Sequence, residues 1–144
     1  MATALLAVGL LAIVTGFQYA TSGVETARGE TAAVFLAEQR IEELRAQAVS
    51  DFASAALAPG TTTDHCVPGR IAGSVSNCAG TPGAGPAYIR STTITDVTVG
   101  TGCPATPVAC KEVLVSVSYR PVSGTGALDQ VRTVQLVTVL GPRA

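Results

Sequence analysis

The residues best suited to chemistry in this chain lie around its one histidine. His65 stands between Asp64 and Cys66, and a cysteine beside a histidine is a pair that nucleophilic catalysis uses. A lone loop histidine beside a disulfide-bonded cysteine is more often a surface residue, because a cysteine in a disulfide has no thiolate. Glu42 and Glu43 are adjacent, so they point in different directions on a helix and fit solvated charge or subunit contacts. The sequence therefore predicts no enzyme and no cofactor.

The four cysteines are a second candidate for chemistry. They are Cys66, Cys78, Cys103 and Cys110. Their spacings do not match the short Cys-x2-Cys knuckles of structural zinc sites, so no metal site is expected. An even number of cysteines fits disulfides in an oxidising compartment. Because loop closure favours near neighbours and each near pair brackets turn residues, we expect the pairs Cys66 with Cys78 and Cys103 with Cys110.

The charge pattern excludes one partner and suggests another. The net charge is −1 and no basic cluster is present, so a nucleic-acid partner is not expected. Hydrophobic residues make up 47% of the chain, and residues 1–24 contain no Asp, Glu, Lys, Arg or His. As a helix this stretch reaches ~36 Å, enough to cross a bilayer core of about 30 Å. The segment is therefore predicted to span a membrane.

Two other interpretations of residues 1–24 compete with a membrane span. A cleavable secretory signal normally begins with Lys or Arg, which this segment lacks, although Ala20-Thr21-Ser22 could serve as a cleavage site. A buried core helix would need a larger domain around it than the Gly- and Pro-rich remainder offers.

The helical pattern continues beyond the apolar run. No proline occurs before Pro59, which with Gly60 predicts an abrupt stop. Steps of three and four place five apolar residues on one stripe, namely Val34, Ala37, Ile41, Leu44 and Ala48. We therefore predict one nearly continuous helix over residues 1–57, about 85 Å long. Residues 1–24 form its membrane span or filament core, and residues 25–57 form an amphipathic stalk.

Glycines recur every seven residues in the apolar half of this helix. Gly9, Gly16 and Gly23 lie near one face, where missing side chains let another helix approach closely. Glycines are also common in membrane helices without such a role, and both explanations remain open. The residues predicted to take part in assembly are these three glycines together with Leu5, Leu10 and Val14.

The remainder of the chain, residues 58–144, is predicted to be a disulfide-stapled β domain. Residues 59–87 are rich in Gly and Pro and predict a loop region. Three β-like runs follow at residues 88–99, 112–120 and 131–140, which together predict an antiparallel meander. One face of this sheet should pack on the helix stripe, while the other meets solvent or a neighbouring subunit. The expected fold class is thus α+β, with a long N-terminal helix packed on a small antiparallel sheet.

Two stretches of the sequence resemble a known family. The first follows the charge-free run and reads Ala37-Glu38-Gln39-Arg40-Ile41-Glu42-Glu43-Leu44-Arg45-Ala46. The second is the pair of closing strands, which read Val113-Leu114-Val115-Ser116-Val117-Ser118-Tyr119 and Val134-Gln135-Leu136-Val137-Thr138-Val139. In this layout the chain resembles type IV pilins, above all minor pilins and the minor pseudopilins of type II secretion. The resemblance implies a structural subunit of an extracellular filament or pseudopilus. Its partners would be other pilin subunits, and it would be anchored in the inner membrane by a single span before assembly.

The start of the chain departs from the pilin pattern. Mature pilins usually begin with a sequence like Phe-Thr-Leu-x-Glu, which follows a Gly at the cleavage site. This chain instead begins Met1-Ala2-Thr3-Ala4-Leu5. Either a short upstream segment is absent from this sequence or the chain is an atypical pilin; we expect the first. The processing residues of the family are therefore not carried over. The rival functions are a signal-anchored monomeric binding domain and a secreted domain that loses its N-terminus.

Overall fold

The chain builds one long helix and a five-stranded antiparallel sheet. The computed structural model describes residues 2–67, 77–79, 88–97, 110–121 and 130–142. Helix α1 spans Ala2–Ser50, and a 3-10 turn follows at Ala55–Leu57. The strands are β1 (Gly60–Val67), β2 (Asn77–Ala79), β3 (Tyr88–Val97), β4 (Cys110–Tyr119) and β5 (Arg132–Leu140). An α+β fold, with an N-terminal helix on an antiparallel sheet, is confirmed.

Helix α1 ends earlier than predicted, at Ser50 rather than near residue 57. The Asp51 side chain accepts a hydrogen bond from the Ala53 amide, and the Ser50 hydroxyl donates to the Gln47 carbonyl. Side chains of Ser and Asp that bond nearby backbone groups in this way compete with helical hydrogen bonding. The chain therefore turns before Pro59, and the 3-10 turn buries Leu57 in the core. At 49 residues, α1 is still about 74 Å long.

The sheet has the order β2-β1-β3-β4-β5, and every neighbouring pair is antiparallel. The predicted meander is confirmed as β3, β4 and β5, with ends that differ from the predicted ones by one or two residues.

The prediction of a loop at residues 59–87 is wrong where β1 lies. Strand β1 contains three consecutive threonines, whose β-branched side chains favour extended backbone, and it pairs with β3 from Gly60 to Cys66. The short strand β2 also falls in the predicted loop. The other residues of that region, 68–76 and 80–87, lie outside the described part of the chain.

The core lies between α1 and one face of the sheet. Leu36 and Leu44 from the helix are fully buried, as are Val113, Val115 and Val117 of β4. The valines alternate with half-exposed residues on the opposite face, as a pleated strand with one buried side requires.

Four residues of the predicted helix stripe are buried, namely Ala37, Ile41, Leu44 and Ala48. Val34, the fifth, is only half-buried. Its neighbours Ala33 and Leu36 are fully buried. Because residue 34 points about 100° away from residue 33, it lies at the margin of the contact.

Candidate functional site

The helix leaves the sheet at Gly29, where the Tyr119 ring of β4 packs directly on the helix backbone. A side-chain carbon added at Gly29 would lie 3.0 Å from Tyr119 Cδ2 and 3.3 Å from Cζ. Tyr119 donates a hydrogen bond of 3.4 Å to the Thr26 carbonyl and stacks on Tyr88, with 5.5 Å between ring centroids. Glycine permits this close approach because it has no Cβ. The tyrosine pair thus fixes where the sheet-bound part of α1 begins.

Burial of the Tyr119 phenol shifts its acidity. The pKa of Tyr119 is raised above its ordinary value of 10.0, first by desolvation and then by the negative charge of Glu30, while Arg132 acts in the opposite direction. The neutral phenol is the form that donates to the helix carbonyl, so the contact favours protonated tyrosine.

A buried arginine holds the middle of α1 on the sheet. Arg90 of β3 is almost fully buried, forms a salt bridge of 3.0 Å with Asp64 of β1, and lies 3.5 Å from the Leu36 carbonyl. Arg90 Nε and Thr92 Oγ1 have no hydrogen-bond partner among the described residues. A buried charge is tolerated only when paired, so Asp64 is what allows an arginine in this core.

A lysine and a second arginine tie the C-terminal part of the helix to the strands. Lys111 of β4 lies 2.8 Å from Asp96 of β3, and its ammonium stands 5.6 Å from the centroid of the Phe52 ring. Arg45 of α1 donates a 3.3 Å hydrogen bond to Thr138 of β5. Arg45 thus connects α1 to β5, while Lys111 connects β4 to β3 and to Phe52, two residues after the end of α1.

The adjacent glutamates Glu42 and Glu43 each form a salt bridge with an arginine of the same helix. Glu43 forms a salt bridge of 3.1 Å with Arg40, and Glu42 forms one with Arg45. Both pairs have i, i+3 spacing on a largely exposed surface, so each contributes only a few tenths of a kcal/mol. They mark the outer surface of the helix.

The N-terminal part of α1 is apolar and lies free of the sheet. Every residue from 9 to 24 whose burial is described is exposed. The large apolar side chains here include Leu10, Leu11, Ile13, Val14 and Phe17, which are between 53% and 69% exposed. Successive helix residues point about 100° apart, so these side chains surround the helix. We call residues 9–24 the exposed apolar segment.

The exposed apolar segment is suited to binding other apolar surfaces. Fully burying one large aliphatic or aromatic side chain stabilises a complex by about 1.5–3 kcal/mol. Several such side chains on one rod provide a strong driving force for burial against lipid or other helices.

The predicted glycine face has no close neighbour among the described residues. A side-chain carbon added at Gly9, Gly16 or Gly23 would meet no described atom within 4 Å. Leu10 and Val14 are exposed beside these glycines, while the side chain of Leu5 lies outside the described residues. That this face contacts a second helix stays a prediction.

Within the described part of the chain, no helix combines the length and the apolar character needed to cross a membrane.

The cysteines that the structure describes are bonded in disulfides. Cys66 and Cys78 form a disulfide that joins β1 to β2 at directly opposed positions, which confirms this predicted pair. Cys66 therefore has no thiolate to act with His65. Cys110 is also disulfide-bonded, and Cys103, its predicted partner, lies outside the described residues. Among the described residues, no three His, Cys, Asp or Glu side chains are grouped so that they could hold a metal ion.

Comparison of the chain with protein-family models, with curated proteins and with solved structures finds no match.

Two features of the site were missed by sequence reasoning. Gly29 continues the helix stripe four residues before Ala33, and this spacing could have extended the sheet contact toward the N-terminus. The buried Arg90 gave no comparable signal, because it stands in a Thr- and Ile-rich strand where alternation alone does not identify a paired charge.

Proposed function

We propose that this chain is a structural subunit of an extracellular type IV pilus-like filament or pseudopilus, and that it assembles through its N-terminal hydrophobic helix. The observation that carries the proposal is the exposed apolar segment, which is continuous with a helix whose other half is fastened to a sheet. A surface so apolar requires a partner, because leaving it in water is unfavourable.

Two environments can cover the segment in turn. In the membrane, lipid would surround it, as the charge-free run of residues 1–24 suggests. In a filament, the segments of neighbouring subunits would pack on one another, and the glycines would let their backbones come close. Exchanging lipid for helix contacts explains why one chain needs both an apolar rod and a separate outer domain.

The layout of the fold supports a pilin-like subunit. The segment from Ala37 to Ala46 that resembles minor pilins presents Ala37, Ile41 and Leu44 to the core, while Glu38, Glu42, Glu43 and Arg45 are exposed. The two closing strands that carry the rest of the resemblance are β4 and β5, the strands that contact α1 most extensively. The sheet would then tile the outside of the fibre.

The decisive experiment expresses variants in the producing cell and measures their incorporation into sheared surface filaments by immunogold electron microscopy. Deleting residues 1–24 should abolish incorporation, because the apolar contact is lost. The sheet should remain folded, since the helix residues that close the core are retained. Unchanged incorporation of the truncated chain would rule out the proposal.

A milder variant tests the glycine face within the same assay. Gly16→Leu fills open space, so it should leave the subunit itself intact and compatible with lipid. If this face contacts a neighbouring helix, incorporation should fall sharply. Thr21→Leu is the matched control, because it adds leucine to the same segment about 140° away around the helix. Equal incorporation of both variants would remove the glycine face from the proposal.

The rival function, a signal-anchored monomeric binding domain, predicts no filament at all. Mass spectrometry of the mature N-terminus separates the two. A pilin-like subunit should yield an N-methylated first residue, whereas an anchored domain should retain an unmodified Met1.

A further inference from the structure

Among the described strands, β5 forms one edge of the sheet. It pairs with β4 along one side, from Arg132 to Leu140, and no other described strand lies along its second side. The ladder between β4 and β5 is continuous over nine residues without a bulge. An edge of this kind presents a row of backbone donors and acceptors with which another extended strand can pair.

This edge lacks the usual protection against pairing. Natural edge strands carry lysine, proline, bulges or inward-pointing charges that block a second strand. From Thr133 to Gly141 the chain has no charged residue and no proline. Val137 and Val139 point away from α1 and are 61% and 42% exposed. The strand therefore offers both backbone groups and apolar side chains to a partner.

We propose that β5 pairs antiparallel with β5 of a second copy of this chain, around a two-fold axis at Val137. In this register Val137 lies opposite Val137 of the other copy, and Gln135 lies opposite Val139. A second copy fits because a charge-free strand meets itself without like-charge repulsion. The register also brings the exposed Val137 of each copy together, and Arg132 falls opposite Pro142 at the two ends of the pairing.

The geometry of this pairing sets it apart from assembly through the helix. An antiparallel strand pair has its two-fold axis perpendicular to the sheet, and α1 lies along the face of the sheet. The axis therefore makes the two helices run in opposite directions. Because a two-fold contact closes on itself, it does not extend a fibre. The pairing depends only on the edge of the sheet, so two single chains can form it. Within filaments, it would join subunits of two oppositely directed fibres side by side.

The first test uses the full chain in detergent micelles, with a single added cysteine and a short bis-maleimide cross-linker. Val137→Cys should give a covalent dimer, because the two added thiols face each other across the axis. Thr95→Cys is the matched control, since Thr95 is exposed on the same face of the sheet but lies on the internal strand β3. Equal dimer yields from the two variants would overturn the proposal. So would a Val137→Cys variant whose cross-linked products do not include the dimer.

The second test fixes the register by charge. In the Val137→Cys background, Gln135→Lys with Val139→Lys places like charges opposite each other twice per dimer, whereas Gln135→Glu with Val139→Lys places opposite charges there. The second variant should cross-link about tenfold more than the first, since cross-strand pairs differ by a few tenths to about 1 kcal/mol each. Both variants carry long charged side chains at the same two exposed positions and differ only in the sign of the charge at residue 135. Equal yields would therefore reject this register and the proposal with it.

Discussion

Gly29→Ala tests whether the packing of the Tyr119 ring against α1 stabilises the fold. Alanine ordinarily stabilises a helix interior by up to about 1 kcal/mol relative to glycine. At this position the added Cβ would lie 3.0 Å from Tyr119 Cδ2 and 3.3 Å from Cζ, and closer still to Cε2. The ring is also held by Tyr88 and by the Thr26 carbonyl, so it cannot move away without losing those contacts.

The expected result is a net loss of stability. Overpacking typically costs 1–3 kcal/mol, a displaced aromatic pair about 0.5–1.5 kcal/mol, and a lost hydrogen bond about 1 kcal/mol. With the helix gain of up to about 1 kcal/mol subtracted, these effects predict that Gly29→Ala lowers the free energy of unfolding by about 1.5–4.5 kcal/mol. Urea unfolding of the detergent-solubilised chain, followed by circular dichroism of the sheet, measures this change.

The same substitution at Gly23 provides the control. No atom of the described residues lies within 4 Å of an added Cβ there, so Gly23→Ala should raise stability by at most about 1 kcal/mol. Combining Gly29→Ala with Tyr119→Ala should remove the clash, and the alanine at position 29 should then no longer destabilise. A Gly29→Ala variant as stable as the wild type would show that the close approach of the ring does not constrain the helix.

Three further predictions concern the sheet. Asp64→Asn should lower the free energy of unfolding by about 2–3 kcal/mol, because the buried Arg90 loses its charged partner; urea unfolding measures it. Because the pKa of Tyr119 is raised in the folded state, the stability that this tyrosine contributes should be fully present below pH 10 and should be lost as pH rises through the folded pKa. The loss should be smaller in Tyr119→Phe, and the melting temperature measured against pH tests this. Replacing Cys66 and Cys78 together by serine should cost about 2–3 kcal/mol, since their sequence separation of 12 closes a short loop, and thermal unfolding tests this.

Each of these has a result that would contradict it. Asp96→Asn, which breaks a more exposed bridge, serves as the control for Asp64→Asn, and equal losses would refute the role of burial. A Tyr119→Phe variant with the same alkaline profile as the wild type would assign the pH dependence to other groups. Unchanged unfolding of the serine variant would show that the β1–β2 disulfide does not stabilise the fold.

The sequence predicted the elements that have a strong local period. Helix α1 and the three meander strands were identified because apolar residues repeat at steps of three and four or of two, and the structure confirms them. Strand β1 was missed because its exposed threonines give no apolar alternation; its pairing with β3 decides its conformation. The end of α1 was placed too late because hydrogen bonds made by Ser50 and Asp51 stop the helix before any proline does.

The candidate site was predictable only in part. An apolar N-terminal run is visible in composition, and so is the local disulfide between Cys66 and Cys78. The contacts that attach the helix to the sheet are not, because Gly29 meets Tyr119 and Arg90 meets Asp64 across long sequence separations. Local patterns in a single amino-acid sequence do not show which residues far apart in the chain contact each other in the core.

The continuity of α1 past the sheet has a mechanical consequence. In a fibre joined through this helix, a pulling force would travel along the helix axis from one subunit to the next. The β domain is attached to the side of the rod, from Gly29 onward, and so lies beside the path of the tension rather than within it. Strands and disulfide would then stay unstretched while the rod extends, and the outer domain could vary its loops without changing the tensile strength of the fibre.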